Sequence, residues 1–184
     1  MNPKVKTFLL AALIGLIAGS AGMALYDYVH RDSDVVEMVD GHPAVDLGLS
    51  VRWAEMNLGA EDALDPGTGL SFPDAEQASW GGKWRMPTSE DWRELFSKCT
   101  LMKYDGGYAL VGPNGKNLYL PKINGSQVAV YWSSTPSSNF YVTEGTTQMK
   151  GNARDCLTIS DSLYLLSFPI PDQASTIATR LVCE

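Results

Sequence analysis

The side chains able to do chemistry are few in this chain, and their spacing argues for binding over catalysis. His30 and His42 are its two histidines, and Cys99, Cys156 and Cys183 are its three cysteines, without a Cys-x-x-Cys pair. Zinc sites are built mainly from such ligands, so no metal is expected from them. The same shortage removes a Ser/His/Asp triad and a Cys/His dyad, because each needs a base beside its nucleophile. Glu61, Asp62, Asp65 and Asp74 crowd one loop with the oxygen ligands that calcium takes. A solvated acidic loop is the competing and simpler reading. Tyr131, Trp132, Phe140 and Tyr141, with Tyr164 further on, offer rings that could stack on a sugar or a protein partner. At strand period most such rings serve a core. The expectation is a binding protein with no catalytic residue and no cofactor, with calcium as the ion to test.

Composition narrows the class of partner. Apolar residues make up 45% and charged residues 19% of the chain, so it folds rather than staying disordered. The net charge is -7 and there is no run of Lys or Arg. Nucleic acid is excluded, since phosphate binding needs a basic stripe that releases counterions.

Residues 7–26, "TFLLAALIGLIAGSAGMALY", carry no charge, and at ~1.5 Å per residue such a run just crosses a bilayer core of ~30 Å. Lys4 and Lys6 precede it and Asp27, Asp32 and Asp34 follow, which places the N-terminus in the cytoplasm and exports the rest. An uncleaved signal anchor over 1–26 is the first reading. The alternative is secretion after cleavage at a small-x-small site near Ala18/Ser20 or Gly22/Ala24. Gly15 and Gly19 form a GxxxG pair, a spacing that lets membrane helices approach closely.

Beyond the membrane, residues 27–44 are polar, mixed in charge and without sustained period, and read as a stalk. From 45 onward Val45, Leu47, Leu49, Val51 and Trp53 alternate as in a half-buried strand. "EDALDPGTGLSFP" reads as a loop, and "DAEQASWGGKW" as a short helix stopped by Gly81 and Gly82. Thr88 caps a helix with Asp91 as the partner of a capping box, and Trp92, Leu95, Phe96 and Cys99 give that helix one apolar face. "GYALVGPNGKNLYLP" is a hairpin turning at Asn114-Gly115, and "VAVYWSS", "NFYVT", "ARDCLTIS", "LYLLSF" and "ATRLVC" read as further strands. The class is α+β, with short antiparallel strands and one or two helices.

Several of these blocks occur together in one family. "VDLGLSVRWAEMNLGA", "WGGKWRMPTSEDWREL", "GPNGKNLYLP", "YWSST" and the terminal "RLVCE" resemble, in order, the Fibrobacter succinogenes major paralogous domain family of bacterial surfaces, over 45–184. "RMPTSEDW" is also similar to a segment of the formylglycine-generating enzymes. The resemblance implies a C-type-lectin-like domain with helices on a twisted antiparallel sheet. It also implies that Trp84, Arg85, Pro87 and Trp92 form a structural motif, in which both tryptophans seal the helix and Arg85 and Pro87 fix its entry. Arg85 lining a functional pocket is the alternative.

Met56 stands where the family often has Cys, and the calcium-lectin signatures Glu-Pro-Asn and Trp-Asn-Asp are missing. The formylglycine-generating activity is not carried over, because Cys156 and Cys183 lack its context. In lectin-like folds the helix end neighbours the last strand, which makes Cys99 with Cys183 the disulfide candidate; three free thiols is the alternative. The functional expectation is a membrane-anchored exported binding module. The first reading is an accessory subunit with a protein partner in a larger envelope complex, favoured by the GxxxG pair, the short stalk and the negative charge; the alternative is a surface module for adhesion or glycan recognition. An enzyme of unknown type ranks behind both.

Overall fold

The computed structural model of the protein describes residues 37–123, 126–137, 141–144, 147–150, 152–161, 164–174 and 177–184. The expected anchor, with Gly15 and Gly19, lies outside them. Among the described residues no helix is long and apolar enough to cross a membrane. In chain order the elements are β1 (Glu37–Val39), β2 (His42–Val45), β3 (Arg52–Ala54), α1 (Phe72–Gln77), β4 (Trp84–Arg85), α2 (Ser89–Lys98), β5 (Thr100–Tyr104), β6 (Gly107–Val111), β7 (Asn117–Pro121), β8 (Ala129–Tyr131), β9 (Tyr141–Glu144), β10 (Thr147–Lys150), β11 (Ala153–Ile159), β12 (Tyr164–Pro171) and β13 (Val182–Cys183). The fold is mixed α+β with mostly antiparallel sheets.

The compact unit runs Glu37–Glu184, which corrects the expected boundary at 45. The end of the expected stalk is a β-hairpin. Asp40 and Gly41 have φ of 47° and 84°, the paired positive values whose twist matches the flanking strands. Val39 therefore faces His42, and β2 goes on to pair with β3. The five-stranded sheet has the order β1-β2-β3-β13-β4, so the last strand lies at its centre-right, between β3 and β4. Two three-stranded sheets follow, β5-β6-β7 and β12-β11-β8, and β9 and β10 form a hairpin.

The single alternating strand expected from Val45 to Trp53 is in fact broken. The Asp46 carboxylate accepts the Gly48 N–H at 2.8 Å, and Gly48 turns left-handed with φ 75°. Leu47, Val51 and Trp53 are buried all the same. Local chemistry at α2 follows the sequence: Thr88 caps it, and both arms of the capping box with Asp91 are made. Helix α1 starts earlier than expected, capped by Ser71 with Pro73 in its first turn. Strand β5, absent from the sequence reading, pairs with β6 through Leu101↔Leu110 and Lys103↔Tyr108.

Side-chain alternation divides the interior in two. Trp53, Tyr131, Leu157 and Val182 point into one apolar cluster with Trp92, Leu95, Leu110 and Leu120. Their neighbours Ala54, Trp132, Cys156 and Cys183 point into another with Phe72, Trp84 and Leu181. Successive strand residues face opposite ways, so β3, β8, β11 and β13 act as the wall between two cores and are covered on both sides.

Candidate functional site

Glycine in "WGGKWRMPTSEDW" serves a close approach. Gly82 has φ 60°, and a Cβ there would lie 2.6 Å from Asp40 Oδ2. The same carboxylate oxygen accepts the Lys83 N–H at 2.9 Å. Trp84 is buried and donates its indole N–H to the Val39 carbonyl at 2.9 Å, while Trp80 stacks on His42 with centroids 3.8 Å apart. The motif thus locks the β1–β2 hairpin onto the domain. Gly82→Ala is expected to cost ~1–3 kcal/mol, as a strained left-handed residue does; an unchanged urea midpoint would show that Asp40 yields freely.

Arg85 is engaged inside the fold. Its Nη1 donates to Asp91 Oδ2 at 2.7 Å and to the Met86 carbonyl at 3.2 Å, and Asp91 Oδ2 also accepts the Thr88 N–H at 2.7 Å. Burial raises the Asp91 carboxyl, but Arg85 and the two Thr88 donors outweigh it and hold it below the ordinary 3.8. A carboxylate depressed in the folded state stabilises above its unfolded pKa, and that contribution is lost as pH falls through the folded value. Arg85→Met is therefore expected to cost ~1 kcal/mol at pH 7, after allowance for solvent screening of a side chain 38% exposed. The difference from the parent should close in acid melts below about pH 4. A gap that is constant with pH would place the effect elsewhere. Pro87 contributes its carbonyl, which accepts the Ser134 N–H at 2.8 Å.

Three sequence expectations are corrected. Tyr131 and Trp132, expected to offer rings to a ligand, are both fully buried. Tyr131 donates its hydroxyl to the Pro121 carbonyl and Trp132 its indole N–H to the Leu70 carbonyl, each at 2.9 Å. The wall position at the end of β8 covers both faces, so neither residue of the pair reaches solvent. Phe140 and the side chain of Tyr141 lie outside the described residues. The Cys99–Cys183 disulfide is not formed: all three cysteines are free, and Cys99 packs on one cluster while Cys183 lies in the other. His42, expected ahead of the domain, is part of β2.

In the acidic loop Asp62 and Asp65 turn their carboxylates on the loop's own backbone. Asp65 accepts the Gly67 N–H at 2.9 Å and the Glu61 N–H at 2.8 Å, and these two donors, Gly67 first, hold it below the ordinary carboxylate range. Asp62 accepts from Leu64 and Asp65, and Asp74 from the Ser71 hydroxyl. Among the described residues no three His, Cys, Asp or Glu side chains gather in a way that could hold a metal ion.

The structure adds an open cleft of about 720 Å³ that pattern reading missed. It lies between the acidic loop, the β5–β6 turn, the segment after β7 and the end of β11. Asp161 is its focus. Lys103 Nζ reaches Asp161 Oδ2 at 2.5 Å, and Lys122 Nζ and the Tyr108 hydroxyl reach Oδ1 at 3.1 Å each. These donors, Lys103 foremost, hold the carboxyl down to about 2. Burial and then Asp161 push the Tyr108 hydroxyl up to about 12. Lys122 is only 16% exposed, and its ammonium lies 5.1 Å from the Tyr108 ring centroid, within cation–π range.

Behind this wall sits a buried cation. Arg180 is fully buried and donates to the carbonyls of Ala54, Glu55 and Tyr119. Burial lowers its pKa. Its Nε and the hydroxyl of Tyr104, a cleft residue, have no hydrogen-bond partner. Asn57 joins the two regions by donating to the Pro66 carbonyl of the cleft and to the Tyr131 hydroxyl. Lys103, Lys122 and Asp161 stand far apart in the chain, so no local spacing announces them.

The chain matches no family model, no curated protein and no solved structure. The geometry therefore stands by itself as the ground for a functional reading.

Proposed function

We propose that this chain is a non-enzymatic, membrane-anchored, exported binding module of the C-type-lectin-like kind, and that its cleft recognises a glycan on the bacterial surface or in the periplasm. The observation that carries the reading is the cleft's chemistry. Ammonium donors and carboxylate acceptors line an open space together with Tyr104, Leu64 and Pro66, the mix of polar edges and apolar patches that polar ligands bury against. The anchor rests on residues 7–26, and the lectin-like assignment on the ordered blocks from 45 to 184.

A second reading, an accessory subunit on an envelope complex, is favoured by one feature. Tyr164 and Phe168 are 41% and 46% exposed on β12, the edge strand of its sheet, where another chain can add. Detergent extraction of the full-length protein from its native membrane, followed by mass spectrometry of what co-purifies, separates the two. A lone chain that binds immobilised bacterial glycans supports recognition. A stoichiometric membrane partner, with no glycan binding, overturns it in favour of the subunit.

A further inference from the structure

We infer that the ligand of this cleft is an acidic sugar, a glycan unit bearing a carboxylate, held through that group by Lys103 and Lys122. The inference rests on the recognition reading and names its substrate class. Two ammonium groups converge on one point, and the chain's own Asp161 already shows that a carboxylate fits there. Each ammonium carries three donors. Lys103 and Lys122 each spend one on Asp161, so donors remain for a second anionic oxygen on the open side.

Charge favours the same ligand. Lys103 and Lys122 gather two positive charges at the focus on one shared carboxylate, Asp105 stands elsewhere on the lining, and the guanidinium of Arg180 behind the focus is met by carbonyls. In a chain of net charge -7 the two ammonium groups thus concentrate positive charge at one point of the cleft, and a field focused in a concave site draws an anionic group to that point. Lys122 is largely shielded from water, which strengthens its attraction for an anion.

The remaining lining selects a sugar among anions. Asp161 already accepts from Lys103, Lys122 and Tyr108, but Asp105 adds an acceptor to the lining, and sugar hydroxyls supply donors to it. Inorganic phosphate at neutral pH brings more negative charge and little to donate, and a peptide C-terminus brings a carboxylate without hydroxyls. Leu64, half exposed, and the Tyr104 ring give an apolar platform of the type that the C–H face of a pyranose covers.

Full-length protein in detergent, at constant ionic strength, is titrated calorimetrically with oligomers of galacturonate, glucuronate and mannuronate, with the matching neutral oligomers, and with inorganic phosphate. At least one uronate oligomer is expected to bind and the neutral partners not to. Lys103→Met and Lys122→Met should each weaken binding about tenfold, the worth of one hydrogen bond to a charged group, and Lys103→Arg should retain it. Lys103 is 56% exposed, so its variants keep the fold, which a melt verifies. Neutral oligomers binding as well as uronates would overturn the acidic-sugar inference and leave glycan recognition standing. Phosphate binding that competes with the uronates at equal strength, or uronate binding indifferent to Lys103, would also overturn it. No binding by any sugar would overturn both readings.

Discussion

Replacing Trp92 with alanine is expected to remove ~3–5 kcal/mol of stability, the range for emptying an aromatic site in a packed core. Trp92 is 1% exposed and lies 4.5 Å from the Trp53 ring and 5.7 Å from Tyr131, centroid to centroid. Its indole N–H donates to the Trp132 carbonyl at 3.2 Å. One side chain therefore ties α2 to β3 and β8, with Leu95 and Phe96 beside it in the same cluster. Whole domains are stable by only ~5–15 kcal/mol, so the loss takes about a fifth of the total or more. The parent should melt cooperatively by circular dichroism and the variant should show a broad or absent transition at 37 °C. Trp92→Phe keeps a ring and gives up the hydrogen bond, and should recover more than half of the loss. A cooperative melt of Trp92→Ala within ~1 kcal/mol of the parent would show that the neighbouring tryptophans close the gap unaided.

Much of this arrangement could be read from local chemistry. The capping box at Thr88 and Asp91, the apolar face through Trp92 and Leu95, and the hairpin around Gly115 each depend on residues within one turn of one another, and each appears. What depends on pairing across the chain was not legible. β1 and β2 have three and four residues, too short to establish a period, although Asp40-Gly41 is the turn signal for such a hairpin. Tyr131 and Trp132 look like one residue in and one out. That inference holds for a sheet with one wet face and fails for β8, which has a core on each side. The cleft was least legible, because Lys103, Lys122 and Asp161 meet only when β5, the end of β7 and the end of β11 come together. Arg180 is hidden by its own type, since arginine ordinarily reads as a surface residue.

Arg180 is also where the second large effect is expected. Its fork spans the carbonyls of Ala54 and Glu55, just at the end of β3, and of Tyr119 in β7, so one guanidinium joins two sheets. Arg180→Met keeps most of the volume and strands the buried Ala54 carbonyl and the part-buried carbonyls of Glu55 and Tyr119, at ~1–3 kcal/mol each with the latter two at the low end. Relief from holding a charge out of water offsets part of that, for a net expected loss of ~3–5 kcal/mol. Arg180→Lys separates charge from geometry. Arginine stays charged at every accessible pH, but a buried lysine is pushed towards its neutral form. The folded variant then binds fewer protons than the unfolded chain, so its stability rises with pH, the penalty fading as pH climbs towards the unfolded value of about 10.4. Urea titrations at pH 6 and pH 9 should show Arg180→Lys closer to the parent at the higher pH, with Arg180→Met displaced equally at both. If Lys is as stable as Arg at pH 6, the site is wet enough to hold any cation, and the rigid five-donor fork is not what joins the sheets. If Met melts like the parent, the three carbonyls have other partners and the buried charge is a cost that the fold carries without need.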